Sequence, residues 1–372
     1  MKIIQTPPRF YPYIGGTEQV AFHEASELVK RGHSVKVVCA NEPVVGSGMI
    51  GGVSVQRIPY ITKLANTNIT LSLAKVLLEE DFDIIHTHLP HPWTADISAI
   101  VSKIKDKPLF LTYHNDITGR GVNKVIAKMY NITALRFLLN MACKIFITHK
   151  DYLKNSAFLS SFSGKVVVSP PGVDFDRFRP LRIADKKSPS VFFLSKLDKS
   201  HRYKGLEYLI SSVKKVPETI PLTLYVGGDG ELLEYYKQLA KDQGVEEAVV
   251  FLGGLTDNQV VEYYNLCDIF VLPSISSIQE GFGLVALEAM ACKKPVIVTN
   301  IVGAAKDIEK ENAGFVVRPK NVGALANAIK YLLFNEDDRK SMGRRAYDLV
   351  HREYTWDKHA DIIETEYLAS AK

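Results

Sequence analysis

The sequence is poor in the features that mark several large protein classes. Its 372 residues include only four cysteines, Cys39, Cys143, Cys267 and Cys292, which stand far apart and form no CxxC pair. This spacing argues against a disulfide framework or a structural zinc site and favours a reducing, cytosolic setting. The chain also lacks an apolar run of the length that spans a membrane and an apolar stretch near its start. We therefore expect a cytoplasmic protein without a signal peptide, whose membrane contact is at most peripheral.

Length and composition predict an ordinary two-domain globular protein. Hydrophobic residues make up 46% of the chain and charged residues 23%, which excludes collagen-like and disordered classes. At roughly 150 residues per domain, a chain of this length has two domains. The net charge of +5 is unevenly distributed. The chain up to Phe175 contains 19 Lys/Arg and 13 Asp/Glu, and the rest of the chain contains 27 Lys/Arg and 28 Asp/Glu. A pI near 8.7 and the lack of any nucleic-acid-binding motif argue against nucleic acid as a partner.

The excess positive charge is densest between Ile117 and Lys150, where no acidic residue occurs. Arg120, Lys124 and Lys128 recur there every four residues, so on a helix they would form one stripe. One interpretation is a basic amphipathic helix that rests on anionic lipid or binds an acidic acceptor. The other is the solvated face of a helix packed on the core, and the sequence leaves both open. The apolar residues beside the stripe are Val125, Ile126, Met129, Ile132, Leu135 and Leu138.

The first half of the chain has the order strand, glycine loop, helix and strand of a parallel βαβ unit. Lys2 to Gln5 predicts a strand, Glu18 to Arg31 a helix, and Val35 to Ala40 a second strand. Gly32 ends the helix. Unbroken Val/Ile runs indicate parallel strands that are covered on both faces. Further strands of this kind are predicted at residues 84–86, 109–112, 145–148 and 166–169.

A change of composition marks the boundary between the halves. Pro170, Pro171 and Gly172 interrupt the series, and the polar stretch at residues 184–189 is the best linker candidate. A second series of apolar runs follows at residues 191–194, 222–226, 249–252, 269–272, 295–299 and 314–317. The sequence therefore predicts an α/β fold of two doubly wound Rossmann-like domains that face each other across a cleft. Ligands of such domains bind at the carboxyl ends of the strands.

Charged residues follow the predicted strands of the second half. Lys196 ends one strand, and Arg202 and Lys204 open the next helix, so these cations suit a diphosphate. Glu280 lies just before a later helix and Glu288 within it. Because a carboxylate accepts two hydroxyls side by side, Glu288 could hold a ribose and Glu280 a second sugar. The competing interpretations are an exposed charged loop for the cations and a surface helix position for Glu288.

Two glycine-containing segments lead into helices and could approach a phosphate. The segment from Tyr13 to Glu18 contains Gly16, but it matches neither the GxGxxG fingerprint nor the GxxxxGK[ST] motif. The second segment follows Glu280, where backbone N–H groups at a helix start would point at phosphate oxygens. The donor-site residues predicted in this second segment are Gly281, Phe282, Gly283, Leu284 and Val285.

Five segments together resemble the retaining glycosyltransferases of family 4. They are GGTEQVAFHEASELVKRGHSVKVV, FDIIHTH, PPGVDFDRF, SKLDKSHRYKG and EGFGLVALEAMA, in that order over nearly the whole chain. The resemblance implies the GT-B fold and transfer of a hexose from a UDP- or GDP-sugar, with no cofactor and no obligatory metal. The implied acceptor is a sugar, a lipid-linked glycan or a polyol. It further implies an acceptor domain at residues 1–171, a donor domain at 172–352 and a final helix, 353–372, that crosses back to the first domain.

The resemblance also implies roles for individual residues. Glu288 would bind the nucleotide ribose, and Glu280 would bind the donor sugar. Lys204 and Lys196 would bind the diphosphate, and Gly16 would lie on the phosphate side of the first domain. The family usually has arginine at the position of Lys196, so that this chain keeps the charge but lacks the bidentate fork. The stretch from residue 275 to residue 279 is also longer than in most of the family.

His114, in the segment LTYHND, matches the family's histidine near the transferred sugar. We predict His114, Glu280, Lys196 and Lys204 as the catalytic residues. The cations and the helix start would stabilise the leaving diphosphate. Two alternatives stay open: a nucleotide-sugar-binding protein without turnover, and an NAD-dependent oxidoreductase, which the missing dinucleotide fingerprint disfavours.

Three short patterns could suggest a metal ion. The DxD strings at residues 81–83 and 174–176 lie before a strand and at the domain junction, so we interpret both as accidental. His86 and His88 point to one face of a predicted strand, with His91 nearby. No adjacent cysteine or helical ligand completes a site. We therefore expect no metal and assign His88 to the cleft lining or to the acceptor.

Overall fold

Two compact units make up the fold. The computed structural model describes residues 1–13, 15–64, 66–117, 122–182, 188–217, 219 and 221–370. Unit 1 consists of Met1–Pro171 and Trp356–Lys372, and unit 2 of Gly172–Thr355. No helix in these described ranges combines the length and the apolar character that crossing a membrane requires.

A sheet with helices on both faces forms unit 1. Its strand order is β10-β9-β8-β7-β1-β2-β4-β3, and every pair is parallel except β3 with β4. The strands are β1 (Lys2–Thr6), β2 (Ser34–Ala40), β3 (Gly48–Ile50), β4 (Val53–Ile58), β5 (Thr62–Leu64), β6 (Thr67–Ile69), β7 (Ile84–Leu89), β8 (Leu109–Tyr113), β9 (Lys144–Ile147) and β10 (Val166–Val168). The helices are α1 (Gly16–Lys30), α2 (Leu73–Glu79), α3 (Pro92–Lys105), α4 (Val122–Ile132), α5 (Ala134–Met141) and α6 (Lys150–Asn155).

The buried face of helix α1 matches the apolar spacing that predicted the helix. Ala21, Ala25 and Leu28 are fully buried on one face, as their spacing requires, and Glu24 shares that face. The helix ends at Lys30 because Gly32 takes a positive φ of 87° there. The buried face therefore carries a carboxylate into the core of unit 1.

The edge of this sheet differs from the prediction. The antiparallel pair β3 and β4 and the separate pair β5 and β6 were not predicted. Gly51 and Gly52, both with positive φ, join β3 to β4 in a tight hairpin. Strand β4, VSVQRI, is interrupted by the polar residues Ser54, Gln56 and Arg57, so it lacks the unbroken run that marks the central parallel strands.

Unit 2 contains a second sheet, in which all pairs are parallel. Its order is β13-β12-β11-β14-β15-β16. The strands are β11 (Ser190–Leu194), β12 (Thr223–Gly227), β13 (Val249–Gly253), β14 (Ile269–Leu272), β15 (Val296–Thr299) and β16 (Gly314–Val317). The helices are α7 (Leu206–Val213), α8 (Leu233–Asp242), α9 (Asp257–Leu266), α10 (Leu284–Ala291), α11 (Ala305–Lys310), α12 (Val322–Phe334) and α13 (Glu336–Glu353). The predicted doubly wound α/β class is confirmed for both units, and each predicted apolar run is a strand whose ends differ from the prediction by at most three residues.

The last helix, α14 (Trp356–Ser370), belongs to unit 1 and packs on α1. The chain returns at Trp356 and not at residue 353, because Tyr354 is buried in the core of unit 2 and donates a hydrogen bond to Asp307. Arg31 binds this helix through three carboxylates. They are Asp357, Asp361 and Glu364.

Candidate functional site

Two loops of unit 2 meet at the carboxyl ends of the neighbouring strands β11 and β14. The single turn Arg202–Lys204 follows β11, and Pro273 and Ser274 follow β14. The N–H of Ile275 donates to the carbonyl of Tyr203 at 2.7 Å. Gly205 has a φ of 78°, and a Cβ atom there would lie 2.1 Å from the carbonyl oxygen of Pro273. Only glycine allows this approach, which brings the cationic turn beside the segment that carries Glu280.

The structure brings two of the predicted catalytic residues together. The Nζ atom of Lys204 lies 2.9 and 3.1 Å from the two carboxylate oxygens of Glu280. Ser274 donates its hydroxyl to the same carboxylate, whose side chain is 2% exposed. Burial lowers the pKa of Lys204, but the adjacent Glu280 carboxylate outweighs this and raises it above its ordinary value. Lys204 is thus a charged ammonium group, available to an anion that shares it with Glu280.

Helix α10 begins beside this ion pair. Gly283 precedes it with a φ of 90°, and a Cβ atom there would lie 2.8 Å from the side chain of Leu272. The first N–H groups of a helix have no intrahelical acceptor, so those of Leu284 and Val285 suit an anion. The ring of Phe282 does not contact a donor as predicted, because it is buried in the core against Tyr354.

Glu288 lies in α10 and is buried beside a tyrosine that the sequence analysis missed. The hydroxyl of Tyr264 donates to Oε2 of Glu288 at 2.7 Å, and Tyr264 is fully buried. Burial raises the pKa of Glu288, and the hydrogen bond from Tyr264 opposes that rise. The predicted surface alternative for Glu288 is wrong. Its carboxylate is held through Oε2, so the Tyr264 hydroxyl fixes the orientation of the group.

The remaining predicted cations differ in their surroundings. Lys196 is exposed after the end of β11. Arg202 donates to Glu207 at 2.8 Å and lies over the ring of Tyr235, so its guanidinium is bound to α7 and α8. The assignment of Arg202 to the donor site stays a prediction.

A glycine-rich segment after β12 supports the loop that carries Lys196. A Cβ atom on Gly228 would lie 1.8 Å from the carbonyl oxygen of Ser195, and one on Gly230 would lie 2.5 Å from the carbonyl carbon of Leu197. The N–H of Leu197 donates to the carbonyl of Asp229 at 2.9 Å. The sequence signal for this segment is the string Gly-Gly-Asp-Gly directly after an apolar run.

In unit 1 the glycine loop is braced by a buried ion pair. Arg9 Nε lies 2.9 Å from Glu18 Oε1, and both side chains are nearly inaccessible. Arg9 also contacts His91 at 3.0 Å. A Cβ atom on Gly15 would collide with the Glu18 carboxylate, whereas one on Gly16 would meet nothing within 4 Å. Packing alone does not require glycine at position 16, which leaves space there for the predicted phosphate.

The predicted histidines of unit 1 lie together, but His88 is not placed as predicted. His88 is completely buried, so it cannot line an accessible surface. Its Nδ1 atom lies 3.2 Å from Nε2 of His114, which keeps 7% of its surface exposed. His88 is buried because strand β7 is covered on both faces, and alternation along a strand does not show which face is open. The role of His114 stays a prediction.

Three buried side chains in unit 1 are of types that bind metal ions. Atoms of Glu24, His86 and His88 lie within 4.8 Å of one another, and α1 supplies the helical carboxylate that the sequence did not indicate. An imidazole binds an ion along a nitrogen lone pair, which lies in the plane of the ring. The rings of His86 and His88 are stacked with an interplanar angle of 17°, so their lone pairs lie in separate planes. This arrangement does not fit one ion shared by both rings.

Helix α4 presents an apolar face to solvent. Tyr130 and Asn131 point inward, where Tyr130 donates to Asp96 and Asn131 to the carbonyl of Ile117. Lys128 is exposed, whereas Arg120 and the side chain of Lys124 lie outside the described residues. Four apolar side chains of α4 are between 48% and 62% exposed. They are Val125, Ile126, Met129 and Ile132, and we call them the α4 face. Helix α4 therefore packs on unit 1 through Tyr130 and Asn131 and exposes the α4 face together with Lys128, and its contact with a membrane stays a prediction.

Two family descriptions match the chain in succession. "Glycosyltransferase Family 4" matches residues 14–177, and "Glycosyl transferases group 1" matches residues 174–349. The first match covers most of unit 1 and the second most of unit 2.

Relatives and solved structures agree with these matches. An uncharacterized glycosyltransferase of Methanocaldococcus jannaschii is 28% identical over 95% of this chain and 93% of its own. A GDP-mannose-dependent alpha-(1-6)-phosphatidylinositol monomannoside mannosyltransferase of Mycobacterium tuberculosis is 31% identical over 57% of this chain and 58% of its own. The structure of Anabaena HepE in complex with UDP is 20% identical, with a TM-score of 0.78 over 99% of this chain and 100% of that one. This last likeness bears on the fold alone.

Proposed function

Because the chain is a family 4-like glycosyltransferase with the GT-B fold, we propose that unit 2 binds a nucleotide-sugar donor and that unit 1 receives the acceptor. The observation that carries the donor assignment is the Lys204–Glu280 ion pair, buried at the carboxyl ends of β11 and β14 beside the start of α10. This edge of a parallel sheet is where ligands of doubly wound folds bind.

Each of the buried residues binds a different part of the donor. Glu288, oriented by Tyr264, accepts the ribose hydroxyls. Lys204 shifts from Glu280 toward the diphosphate and Glu280 accepts hydroxyls of the donor sugar, so that each charge keeps a partner. The N–H groups at the start of α10 add a second source of positive potential. Relatives that use GDP-mannose and a structural neighbour in complex with UDP support a UDP- or GDP-sugar.

The proposed reaction is transfer with retention of configuration. The bond between the anomeric carbon and the phosphate oxygen breaks, and the acceptor oxygen bonds to that carbon on the same face. The acceptor proton passes to the leaving phosphate, which balances the charge. Lys204 and the start of α10 stabilise the diphosphate as it leaves, so the reaction needs no divalent metal.

A donor screen tests this function. We expect one UDP- or GDP-sugar to raise the melting temperature, since a ligand at 100 times its Kd adds about 2.7 kcal/mol of stability, whereas NAD does not. With an acceptor present, the same donor should release its nucleoside diphosphate, equally with and without EDTA. If no nucleotide sugar raises the melting temperature, the function is wrong. If donors bind but neither transfer nor hydrolysis occurs, the protein is a non-catalytic nucleotide-sugar-binding protein.

We further propose that the α4 face binds an anionic membrane, where the protein would reach a lipid-linked acceptor. The segment from Ile117 to Lys150 carries no acidic residue, so its charge is complementary to acidic headgroups. Exposed apolar side chains beside exposed Lys128 form the two faces of an interfacial helix. The four cysteines are free, which agrees with a cytoplasmic location.

Sedimentation with vesicles checks the membrane proposal. Met129→Ser/Ile132→Ser should lower binding to phosphatidylcholine–phosphatidylglycerol vesicles by at least about tenfold, because a buried apolar side chain contributes ~1.5 kcal/mol or more. Lys128→Glu should weaken binding at low salt only. The matched control is Ile100→Ser/Ile104→Ser, which alters exposed apolar residues on α3 of the same unit. Equal sedimentation of the α4 variant and this control would reject the proposal.

A further inference from the structure

Three imidazole rings with nearly parallel planes lie in a row in the interior of unit 1. The ring centroids of His86 and His88 lie 4.8 Å apart, and those of His88 and His114 lie 5.5 Å apart. The rings are nearly parallel, with interplanar angles of 17° and 14°. We call these three residues the histidine column. His114 is at its accessible end, and none of the proposed donor contacts uses the other two rings.

A buried carboxylate holds the inner end of the column. Glu24 Oε1 accepts from the Gln5 amide at 2.6 Å and lies 2.7 Å from Nδ1 of His86. His359 and Tyr367 of α14 also reach this carboxylate, each at 3.4 Å. Burial raises the pKa of Glu24, but His86 and His359 outweigh this and hold it well below its ordinary range. The carboxylate therefore stays ionised.

The two outer rings are uncharged at neutral pH. Burial, with His86 adding to it, holds the pKa of His88 well below its ordinary value although Glu24 opposes the shift. Burial lowers the pKa of His114 to about 3, again against the effect of Glu24. A neutral imidazole has one N–H and one bare nitrogen. In the contact between His88 Nδ1 and His114 Nε2, one ring must therefore donate and the other accept.

The outer nitrogen of His88 decides the direction of this hydrogen bond. Nε2 of His88 is buried and has no hydrogen-bond partner among the described residues. A buried N–H without an acceptor is rarer in proteins than a buried acceptor without a donor. Nε2 is therefore the bare nitrogen, and the proton of His88 is on Nδ1, where it donates to Nε2 of His114 at 3.2 Å.

We propose that His88 is a positioning residue that fixes His114 as the Nδ1–H tautomer, so that His114 meets its substrate as a hydrogen-bond donor and not as a base. The inference rests on the proposed function only in taking His114 as a substrate contact. With Nε2 of His114 occupied by His88, its N–H is the group that remains for a sugar oxygen. A donor at this position binds a hydroxyl or ring oxygen without removing a proton.

Nitrogen-15 NMR of histidine tests the tautomer without any turnover. The chain has ten histidines, so the His114 signals are assigned by their loss in His114→Gln. In the parent, Nδ1 of His114 should have the chemical shift of a protonated nitrogen and Nε2 that of a bare one. The opposite pattern, or a pattern that averages the two, would overturn the proposal directly. This NMR measurement does not depend on the proposed function, so it would identify the tautomer of His114 even in a protein without transferase activity.

Two substitutions of His88 form a matched pair. In His88→Asn the side-chain amide would occupy the position of Nδ1 and keep a donor for His114, whereas in His88→Gln the amide would lie at the position of Nε2. We expect His88→Asn to keep the parental tautomer and a kcat within about threefold, and His88→Gln to lose both, with kcat falling about tenfold. The KM for the donor should stay unchanged in both. Equal tautomers and equal kcat values in two variants of parental melting temperature would contradict the positioning role.

Discussion

Lys204→Ala is expected to lower the turnover number with the nucleotide-sugar donor by about 10²–10³-fold, the range found when one preorganised electrostatic donor is removed. Its ammonium group is the buried cation that Glu280 keeps charged and beside the start of α10. The matched control is Lys199→Ala. Lys199 lies in the same loop, is exposed and pairs with Glu231, so its loss should leave turnover unchanged.

Loss of Lys204 also leaves the Glu280 carboxylate buried without its partner, which can destabilise the fold by about 3 kcal/mol. The double variant Lys204→Ala/Glu280→Gln removes this unpaired charge. It should recover most of the melting temperature and none of the turnover. A double variant that regains turnover together with stability would show that the single substitution acted through folding, and the catalytic assignment of Lys204 would be wrong.

Glu288→Gln is expected to weaken binding of the selected nucleoside diphosphate by about 10–100-fold, because hydrogen bonds to a charged group contribute ~1.5–3 kcal/mol. Calorimetric titration measures this directly. Glu262→Gln is the control, since Glu262 is an exposed carboxylate on α9, the helix that also carries Tyr264. Parental affinity in a folded Glu288→Gln variant would exclude Glu288 from the site.

The pH dependence of binding should follow from the raised pKa of Glu288. In the proposed complex the carboxylate form accepts the ribose hydroxyls, so affinity should be complete above that pKa and should decline as the pH falls through it. Tyr264→Phe removes the hydrogen bond that opposes the rise, so the decline should begin at a higher pH than in the parent. The Glu288→Gln variant should lack this decline.

The sequence predicted the central strands better than the edges because the two kinds of strand are recognised by different patterns. Unbroken apolar runs such as Ile84–Ile85 and Ile269–Leu272 indicated buried parallel strands, and all of these runs are strands. Strand β4 is interrupted by polar residues and was missed. Helix α4 ends at Ile132 and α5 begins at Ala134, a break that the continuous apolar pattern concealed.

The site was predictable as a set of residue types but not as a set of contacts. Lys204 and Glu280 were both identified, yet their ion pair joins residues far apart in the chain and depends on the approach of Gly205 to Pro273. Tyr264 carries no motif, so only the fold places it against Glu288.

The histidines show the same limit on prediction. Spacing placed His86 and His88 on one face of a strand, but it could not show that this face is covered. It also could not show that Glu24, on another element, lies beside them.

The central claim is that the Glu288 carboxylate binds the ribose of the donor nucleotide, and one comparison of affinities tests it most directly. The nucleoside diphosphate and its 2′,3′-dideoxy counterpart are titrated into the parent and into Glu288→Gln. The account predicts that the parent prefers the ribose form by about tenfold or more, and that this preference disappears in the variant. Equal affinity of the parent for both ligands, or an undiminished preference in the variant, would contradict it.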